Sequence, residues 1–217
     1  MKIFAHRGYT AEGKGENTLE AFEQAIEKRL FIELDIQLTK DEIPIVFHDE
    51  DLVRLAKRKE KISQLELSKL RQIPLLNDER IPTLKETLEL VNGRTILLIE
   101  LKTHKTGLFI GHKLEEKVIE LLKDYKGEYM VQAFNPSTVK YCKKRLKGIK
   151  VGRLSSRCYG SHYCGDFINY KLKHLDKETV EQFQKRNIEV FGWSAMEDST
   201  KEAMERAELL GIDGIIL

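Results

Sequence analysis

Three acidic residues, Glu33, Asp35 and Glu100, lie in predicted β-strands at positions that would bring their carboxylates close together. Glu33 and Asp35 alternate within the run 31–35, so their side chains share one face. Glu100 follows four aliphatic residues, where a lone charge would be costly without a partner. Each carboxylate alone would more commonly be a solvated charge. As a cluster they repel one another unless a cation neutralises them, and oxygen-only ligands suit Mg²⁺ or Ca²⁺ better than zinc. The pattern predicts a divalent metal site.

Two histidines and two cations accompany these carboxylates. His6 ends the first apolar run, and His48 ends the run 43–47. Histidine gives and takes a proton near neutral pH, so two histidines on opposite sides of a bound phosphate could serve as base and acid. Arg7 offers a bidentate fork and Lys102 a point charge for that phosphate. The residue types therefore indicate metal-assisted chemistry on a phosphate group.

Two competing sites are less favoured by the sequence. The segment 8–15 nearly matches the nucleotide-binding pattern G-x-x-x-x-G-K-[ST], but Gly15 has no hydroxyl for Mg²⁺. Cys158, His162 and Cys164 could be imagined as zinc ligands, but a structural zinc site wants four. Neither reading accounts for His6 or the carboxylates.

Short apolar runs alternate with amphipathic segments, which is typical of βα units. Eight runs are predicted strands: 3–6, 31–35, 96–101, 129–134, 150–154, 166–170, 189–193 and 214–217. Helical periodicity predicts helices over 18–28, 83–91, 114–125, 136–146, 176–186 and 199–210. Asn17, Asn135 and Asp176 stand at N-cap positions, and Pro136 at a first helical position. The pattern predicts an α/β fold, a (β/α)8 barrel of the TIM type, with a doubly wound open sheet as the alternative.

Residues 36–82 are too many for an ordinary βα connection. Their first part reads as two β runs around a polar turn at 40–42. A hairpin there places His48 opposite Asp35, at the carboxyl end of the second strand, where barrel enzymes keep their chemistry. We therefore predict one domain over residues 1–217, with a small insertion at about 50–82.

Size and charge narrow the class of protein. With 217 residues and 41% apolar content, the chain can bury a full core. Its net charge is only +2, so the protein as a whole does not carry the strong positive charge that would attract nucleic acid or an anionic membrane surface. No apolar stretch of signal-peptide length follows Met1, and no run approaches the roughly 20 residues that span a bilayer. We predict a cytoplasmic protein with a small-molecule phosphodiester substrate, no nucleic-acid partner and no stable membrane insertion.

The order of these motifs resembles the glycerophosphodiester phosphodiesterase family. The matching pieces run from the first strand to the last: His6-Arg7-Gly8, Glu16-Asn17-Thr18, Glu33-Leu34-Asp35, Leu38–Asp41, Val46–Asp49 followed by Leu52 and Arg54, Ile81–Leu84, Ile99–Lys102 and Gly211–Ile215. Gly15 and Glu42 depart from the family pattern, which usually has proline and glycine there. The family also continues beyond the position of Leu217, which puts closure of the last strand in question.

This resemblance implies a barrel enzyme that hydrolyses glycerophosphodiesters, such as glycerophosphocholine, to glycerol 3-phosphate and an alcohol. It also implies roles for nine residues: His6 and His48 in acid–base catalysis, Glu33, Asp35 and Glu100 on Mg²⁺ or Ca²⁺, Arg7 and Lys102 on the phosphate, and Glu16 and Trp193 around the mouth. Two alternatives retain the same residues. One is a related barrel enzyme acting on lysophospholipids or another phosphodiester, and the other is a non-catalytic phosphate-binding module.

Overall fold

Eight parallel strands close into a ring in a computed structural model of the chain, which describes residues 1–11, 15–75, 79–103, 111–156, 165–194 and 199–217. The strands are β1 Lys2–His6, β2 Phe31–Leu38, β3 Pro44–Val46, β4 Leu97–Leu101, β5 Tyr129–Ala133, β6 Val151–Ser155, β7 Phe167–Lys171, β8 Glu189–Trp193 and β9 Gly214–Ile216. All but β3 belong to the ring, and β1 pairs with both β2 and β9. The prediction of a (β/α)8 barrel is confirmed, and the open sheet is wrong.

The last strand closes the barrel although it is short. β9 lies parallel to β8 on one side and to β1 on the other. Past its end, Leu217 N donates to Phe4 O at 3.0 Å, and His6 N donates to Leu217 O at 2.7 Å. The expected difficulty at this strand is therefore absent, because Leu217 itself completes the hydrogen bonding to β1.

In the described part of the chain, six helices lie between strands of the ring, and two shorter ones, α2 Val53–Ala56 and α3 Leu67–Leu70, lie in the insertion. The six are α1 Leu19–Glu27, α4 Leu84–Val91, α5 Lys113–Leu122, α6 Pro136–Arg145, α7 Lys177–Gln184 and α8 Thr200–Leu210. Asn135 and Asp176 cap α6 and α7 as predicted. The predicted cap of α1 is wrong: Thr18 accepts from Ala21 N, whereas Asn17 lies in the left-handed region at φ 57° and faces the barrel mouth.

The predicted hairpin after β2 is present, with a shift of one residue. β2 is longer than predicted and runs on to Leu38, where it pairs antiparallel with β3. Ile36 faces Val46, and Phe47 N donates to Asp35 O at 3.0 Å. Phe47 rather than His48 therefore lies opposite Asp35 in the register.

The predicted insertion builds a small apolar cluster of its own beside the barrel. It contains α2, a 3-10 turn at Ile62–Gln64 and α3. Buried residues between 45 and 81 form this cluster: Ile45, Phe47, Leu52, Ile62, Leu70, Ile73, Leu75 and Ile81. Ile45 lies in β3 and Phe47 directly follows Val46 at its end, so the insertion is packed onto the segment that leads to His48. The assignment of the chain to one domain stays a prediction.

Aromatic rings fill the barrel interior beneath its carboxyl end. Phe4, Phe167 and Phe191 are fully buried there, with Phe167 stacked on Phe191 at a centroid distance of 4.9 Å. Gly152 on β6 leaves the space that the Phe167 ring fills. This apolar floor separates the polar groups at the mouth from the other end of the barrel. Among the described residues, no helix is both long and apolar enough to cross a bilayer.

We expect Gly152→Ala to destabilise the protein by about 1–3 kcal/mol, as overpacked cores do. The added Cβ would overlap the Phe167 ring, which has no free space to move into because it stacks on Phe191. Thermal unfolding should show a Tm lower by about 2–4 °C for each kcal/mol. Gly111→Ala is the control, since a Cβ there meets nothing within 4 Å. Equal Tm values for the two variants would contradict the packing argument.

Candidate active site

The three predicted carboxylates converge at the carboxyl end of the barrel. β2 and β4 are neighbours whose register sets Asp35 beside Glu100, and Glu33 lies two residues earlier on the same face. The side chains are buried, with 2%, 1% and 5% exposure for Glu33, Asp35 and Glu100. One oxygen from each lies within 4.8 Å of the others. This is the spacing that a single cation could bridge.

Burial and mutual repulsion perturb these carboxylates strongly. Burial, together with Asp35 and Glu100, raises the pKa of Glu33 well above its usual value. Burial and Asp35 raise the pKa of Glu100 to about 7. Burial alone would also raise the pKa of Asp35, but the adjacent cations Lys102 and Arg7 outweigh it and lower that pKa. Three buried carboxylates cannot all carry a negative charge without strong repulsion unless a cation lies between them. Because they offer only oxygen ligands, a hard divalent cation fits them.

Two cations border the cluster as predicted. Lys102 Nζ donates to Glu100 Oε1 at 2.8 Å and lies 3.2 Å from Asp35 Oδ1. Arg7 places Nε 3.3 Å from Asp35 Oδ2 and donates through its terminal nitrogen to Glu16 Oε1 at 2.6 Å. Burial would lower the pKa of Lys102, but Asp35 and Glu100 outweigh burial and raise it. Lys102 therefore stays charged at the mouth.

A tight turn after β1 aims Arg7 at the cluster. Arg7 and Gly8 both have positive φ, 60° and 87°, and a Cβ at Gly8 would press on Ala21 at 2.8 Å. The turn lets Arg7 N donate to Glu33 Oε2 at 3.2 Å. Asn17 on the same loop donates to Asp35 Oδ2 at 3.0 Å. A non-glycine residue in this region costs about 1–2 kcal/mol, and such strain is concentrated at functional sites.

The two histidines reach the mouth from different supports. His6 ends β1 and pairs in register with Glu33. Burial and Arg7 lower the pKa of His6 to about 4. His48 follows the hairpin strand β3, and burial lowers its pKa although Asp35 acts in the opposite direction. Its Nδ1 lies 2.6 Å from Asp49 Oδ1.

A cavity of about 370 Å³ joins these groups. All nine residues that the sequence assigned to the site line it: His6, Arg7, Glu16, Glu33, Asp35, His48, Glu100, Lys102 and Trp193. The sequence reading missed five others: Arg54, Gln132, Phe134, Leu154 and Ile216. Ten of the lining residues are polar or charged, and we call the other four, Phe134, Leu154, Trp193 and Ile216, the apolar wall.

Two of the missed residues carried a signal in the sequence. Arg54 is within the motif that contains His48, but its distance along the chain hid its contact with Glu16. Gln132 is the one polar residue in the apolar core of β5. It lies 3.5 Å from Glu33 Oε1 and accepts from Asn169 Nδ2 at 2.9 Å. A buried amide of this kind usually has a partner, which could have pointed to the site.

The competing sites fall largely outside the described residues. The proposed zinc ligands Cys158, His162 and Cys164 lie in 157–164, and part of the nucleotide-binding pattern lies in 12–14. Among the described residues, Glu33, Asp35 and Glu100 form the one cluster of potential metal ligands.

Comparison with known proteins agrees with this geometry. A family model described as "Glycerophosphoryl diester phosphodiesterase family" matches residues 6–217. A glycerophosphodiester phosphodiesterase of Caldanaerobacter subterraneus is 32% identical, over 99% of this chain and 92% of that protein. Human lysophospholipase D GDPD1 is 34% identical over 59% of this chain and 43% of its own length.

Solved structures share the fold. A glycerophosphodiester phosphodiesterase from Thermotoga maritima superposes with a TM-score of 0.79 at 30% identity, covering 99% of this chain and 92% of that one. A phosphodiesterase from Oleispira antarctica, solved in complex with the product sn-glycerol-3-phosphate, gives a TM-score of 0.87 at 22% identity, covering 100% and 92%. With a family match over nearly its whole length, the chain belongs to the glycerophosphoryl diester phosphodiesterase family and has the enzyme class of that family.

Proposed function

We propose that this site hydrolyses glycerophosphodiesters such as glycerophosphocholine, with a divalent metal and a histidine pair, to give glycerol 3-phosphate and an alcohol. The observation that carries the proposal is the cluster of three buried carboxylates with two cations and two histidines around one cavity. The relative from Oleispira antarctica that was solved with sn-glycerol-3-phosphate supports the choice of product.

Glu33, Asp35 and Glu100 would hold the metal, and their oxygen-only donor set suits Mg²⁺ or Ca²⁺. When bound, the ion offsets the negative charge that develops on the phosphoryl oxygens. Asn17 and the backbone N of Arg7 already donate to Asp35 and Glu33, so these carboxylates are fixed in orientation before a ligand arrives.

Arg7 and Lys102 would bind the phosphate. Both are nearly buried, with side-chain exposure of 14% and 12%, so their attraction for an anion is screened less than it would be at the surface. Glu16 accepts from Arg7 and holds its guanidinium at the mouth. Lys102 presents three rotatable donors beside Glu100, so it can turn toward an incoming oxygen.

His6 and His48 would transfer the protons. One removes a proton from the attacking oxygen, of water or of a neighbouring substrate hydroxyl, as the new bond to phosphorus forms. The other gives a proton to the alcohol oxygen as its bond to phosphorus breaks. Both histidines line the cavity, so both can reach a phosphate held between them.

A second candidate substrate is a lysophospholipid. The apolar wall favours it, because Phe134 is 45% exposed at the cavity rim and offers contact area for an acyl chain. The similarity to a segment of human lysophospholipase D GDPD1 also supports lysophospholipids as a candidate substrate class. Glycerophosphocholine stays the leading substrate because ten of the fourteen residues that line the cavity have charged or polar side chains.

We expect removal of divalent metal to abolish glycerol 3-phosphate release. Without the ion, Glu33, Asp35 and Glu100 place uncompensated charge beside the phosphate. The measurement is glycerol 3-phosphate release after dialysis against EDTA, followed by addition of Mg²⁺ or Ca²⁺, which should restore activity. Unchanged activity in the chelator would contradict the metal role.

A stability readout complements this assay. An ion that binds only the folded protein at 100 times its Kd stabilises it by about 2.7 kcal/mol. Mg²⁺ should therefore raise the Tm of the wild type but not that of Glu33→Gln. Exposed Glu89 on α4 provides the matched control, and Glu89→Gln should keep the Mg²⁺ response.

We expect His6→Ala and His48→Ala each to lower kcat by about 10²–10⁴-fold, the usual contribution of acid–base catalysis. Neither side chain is among the three metal ligands, so the rise of Tm with Mg²⁺ should persist in both variants. Steady-state kinetics and thermal melts measure the two effects. His174→Ala, at an exposed histidine away from the cavity, is the control. Wild-type kcat in either test variant would remove that histidine from the mechanism.

We expect kcat/KM to be higher for glycerophosphocholine than for lysophosphatidylcholine. Phe134→Ala should weaken use of the lysophospholipid more, because it removes apolar contact area and no charge. Assays of both substrates with wild type and variant measure this. The reverse order of kcat/KM would favour the lysophospholipid candidate, and binding without turnover of either substrate would indicate a phosphate-binding module.

A further inference from the structure

Arg54, at the start of the insertion, joins two loops that carry proposed catalytic and phosphate-binding groups. It belongs to α2 and donates from both terminal nitrogens to Glu16, at 2.7 Å to each carboxylate oxygen. Its Nε also donates to Asp49 Oδ2 at 2.7 Å. One guanidinium therefore binds a carboxylate from the β1–α1 loop and another from the loop after β3.

Each of these carboxylates contacts a residue of the proposed machinery. Glu16 accepts from Arg7 at 2.6 Å, and Asp49 Oδ1 lies 2.6 Å from His48 Nδ1. The result is a continuous chain of charged contacts from His48 through Asp49, Arg54 and Glu16 to Arg7. Glu16 and Asp49 are 11% and 21% exposed, and Arg54 is 45% exposed. The network differs from a single surface ion pair because Arg54 contacts Glu16 through two nitrogens at once, which is the stronger kind of charge-assisted hydrogen bond.

The contact with Asp49 determines which histidine nitrogen is free. A carboxylate can only accept, so Nδ1 of His48 must carry the hydrogen in both the neutral and the charged ring. Nε2 is then the nitrogen that can exchange a proton with substrate. A histidine on a hairpin needs such a partner more than His6 does, because His6 ends a strand that is paired on both sides.

We propose that Asp49 and Arg54 are positioning residues: Asp49 holds His48 in the Nδ1–H tautomer with Nε2 toward the cavity, and Arg54 fixes Asp49 relative to the Glu16–Arg7 pair. The inference rests on the proposed function for the role of His48. Arg54 acts through its two carboxylates, and the single ammonium of a lysine does not reproduce its bidentate contact with Glu16.

The tautomer of His48 can be read directly by ¹⁵N NMR of the imidazole ring in the full-length protein with Mg²⁺, without any substrate. We expect Nδ1 to be protonated in the wild type and the tautomer to become mixed or inverted in Asp49→Asn. Asp51→Asn is the matched control, since Asp51 caps Val53 N on the same loop. A wild-type His48 protonated on Nε2 would overturn the proposal whatever the activity.

Kinetics test the part played by Arg54. We expect Arg54→Ala and Arg54→Lys to lower kcat by about 10–100-fold, as loss of a group that orients a catalytic side chain does. Free guanidinium should partly restore kcat in Arg54→Ala but not in Asp49→Asn. Arg58→Ala removes an exposed arginine paired with Glu60 on the same segment and should keep wild-type kcat. Equal kcat for Arg54→Ala and Arg58→Ala would overturn the role of Arg54.

These outcomes separate the inference from the proposed function. If the wild type hydrolyses no member of the substrate panel, the proposed function fails while the NMR result still decides the tautomer. If the wild type is active and His48 has the opposite tautomer, the positioning role fails alone. Thermal melts of all variants identify any loss of kcat that comes from unfolding.

Discussion

Repulsion among three buried carboxylates is the constraint around which the mouth of the barrel is built. Glu33, Asp35 and Glu100 are buried within a few ångströms of one another, and burial with mutual repulsion raises the pKa of Glu33 and of Glu100. Two cations, Lys102 and Arg7, offset this repulsion, and the side-chain amide of Asn17 donates to Asp35. Polar side chains that do not touch the cluster directly, such as Asn169, fix those that do.

The barrel strands position the carboxylates, and the hairpin positions His48. Adjacent parallel strands set the separation of Asp35 and Glu100, so the carboxylate cluster follows from strand pairing alone. The strained turn at Arg7 and Gly8 then brings a cation over the same edge. The second histidine comes from outside the ring, and its loop is tied back by ion pairs instead of by a sheet on both sides. A closed apolar floor of phenylalanine rings keeps the whole assembly at one end.

Much of this could be predicted from the sequence, because strand alternation fixes which side chains share a face. Glu33, Asp35 and Glu100 were found in this way, and the order of the short motifs supplied Glu16 and Trp193. The errors came from contacts between distant segments. Asn17 looked like a helix cap, but its amide is needed by Asp35, so Thr18 took the cap. Arg54 and Gln132 were missed because their partners are far away in the chain, and the one-residue shift at His48 depends on a turn geometry that composition does not specify.

The length of β2 has a consequence for how this enzyme could vary. Residues 32–36 pair with β4 in the barrel and residues 36–38 pair with β3, so Ile36 belongs to both pairings. One strand therefore carries Glu33 and Asp35 and also sets the starting point of β3. The separation between the carboxylates and His48 is thus fixed by main-chain pairing and by the arginine at the start of α2. Chain beyond Ala56 supports the same hairpin, because Ile62, Leu70 and Ile81 are buried in one cluster with Ile45 and Phe47, and Val46 N donates to Pro82 O at 2.8 Å. Evolutionary change in the insertion would therefore alter the support of His48, whereas the carboxylate cluster, which the pairing of β2 with β4 sets, would keep its geometry.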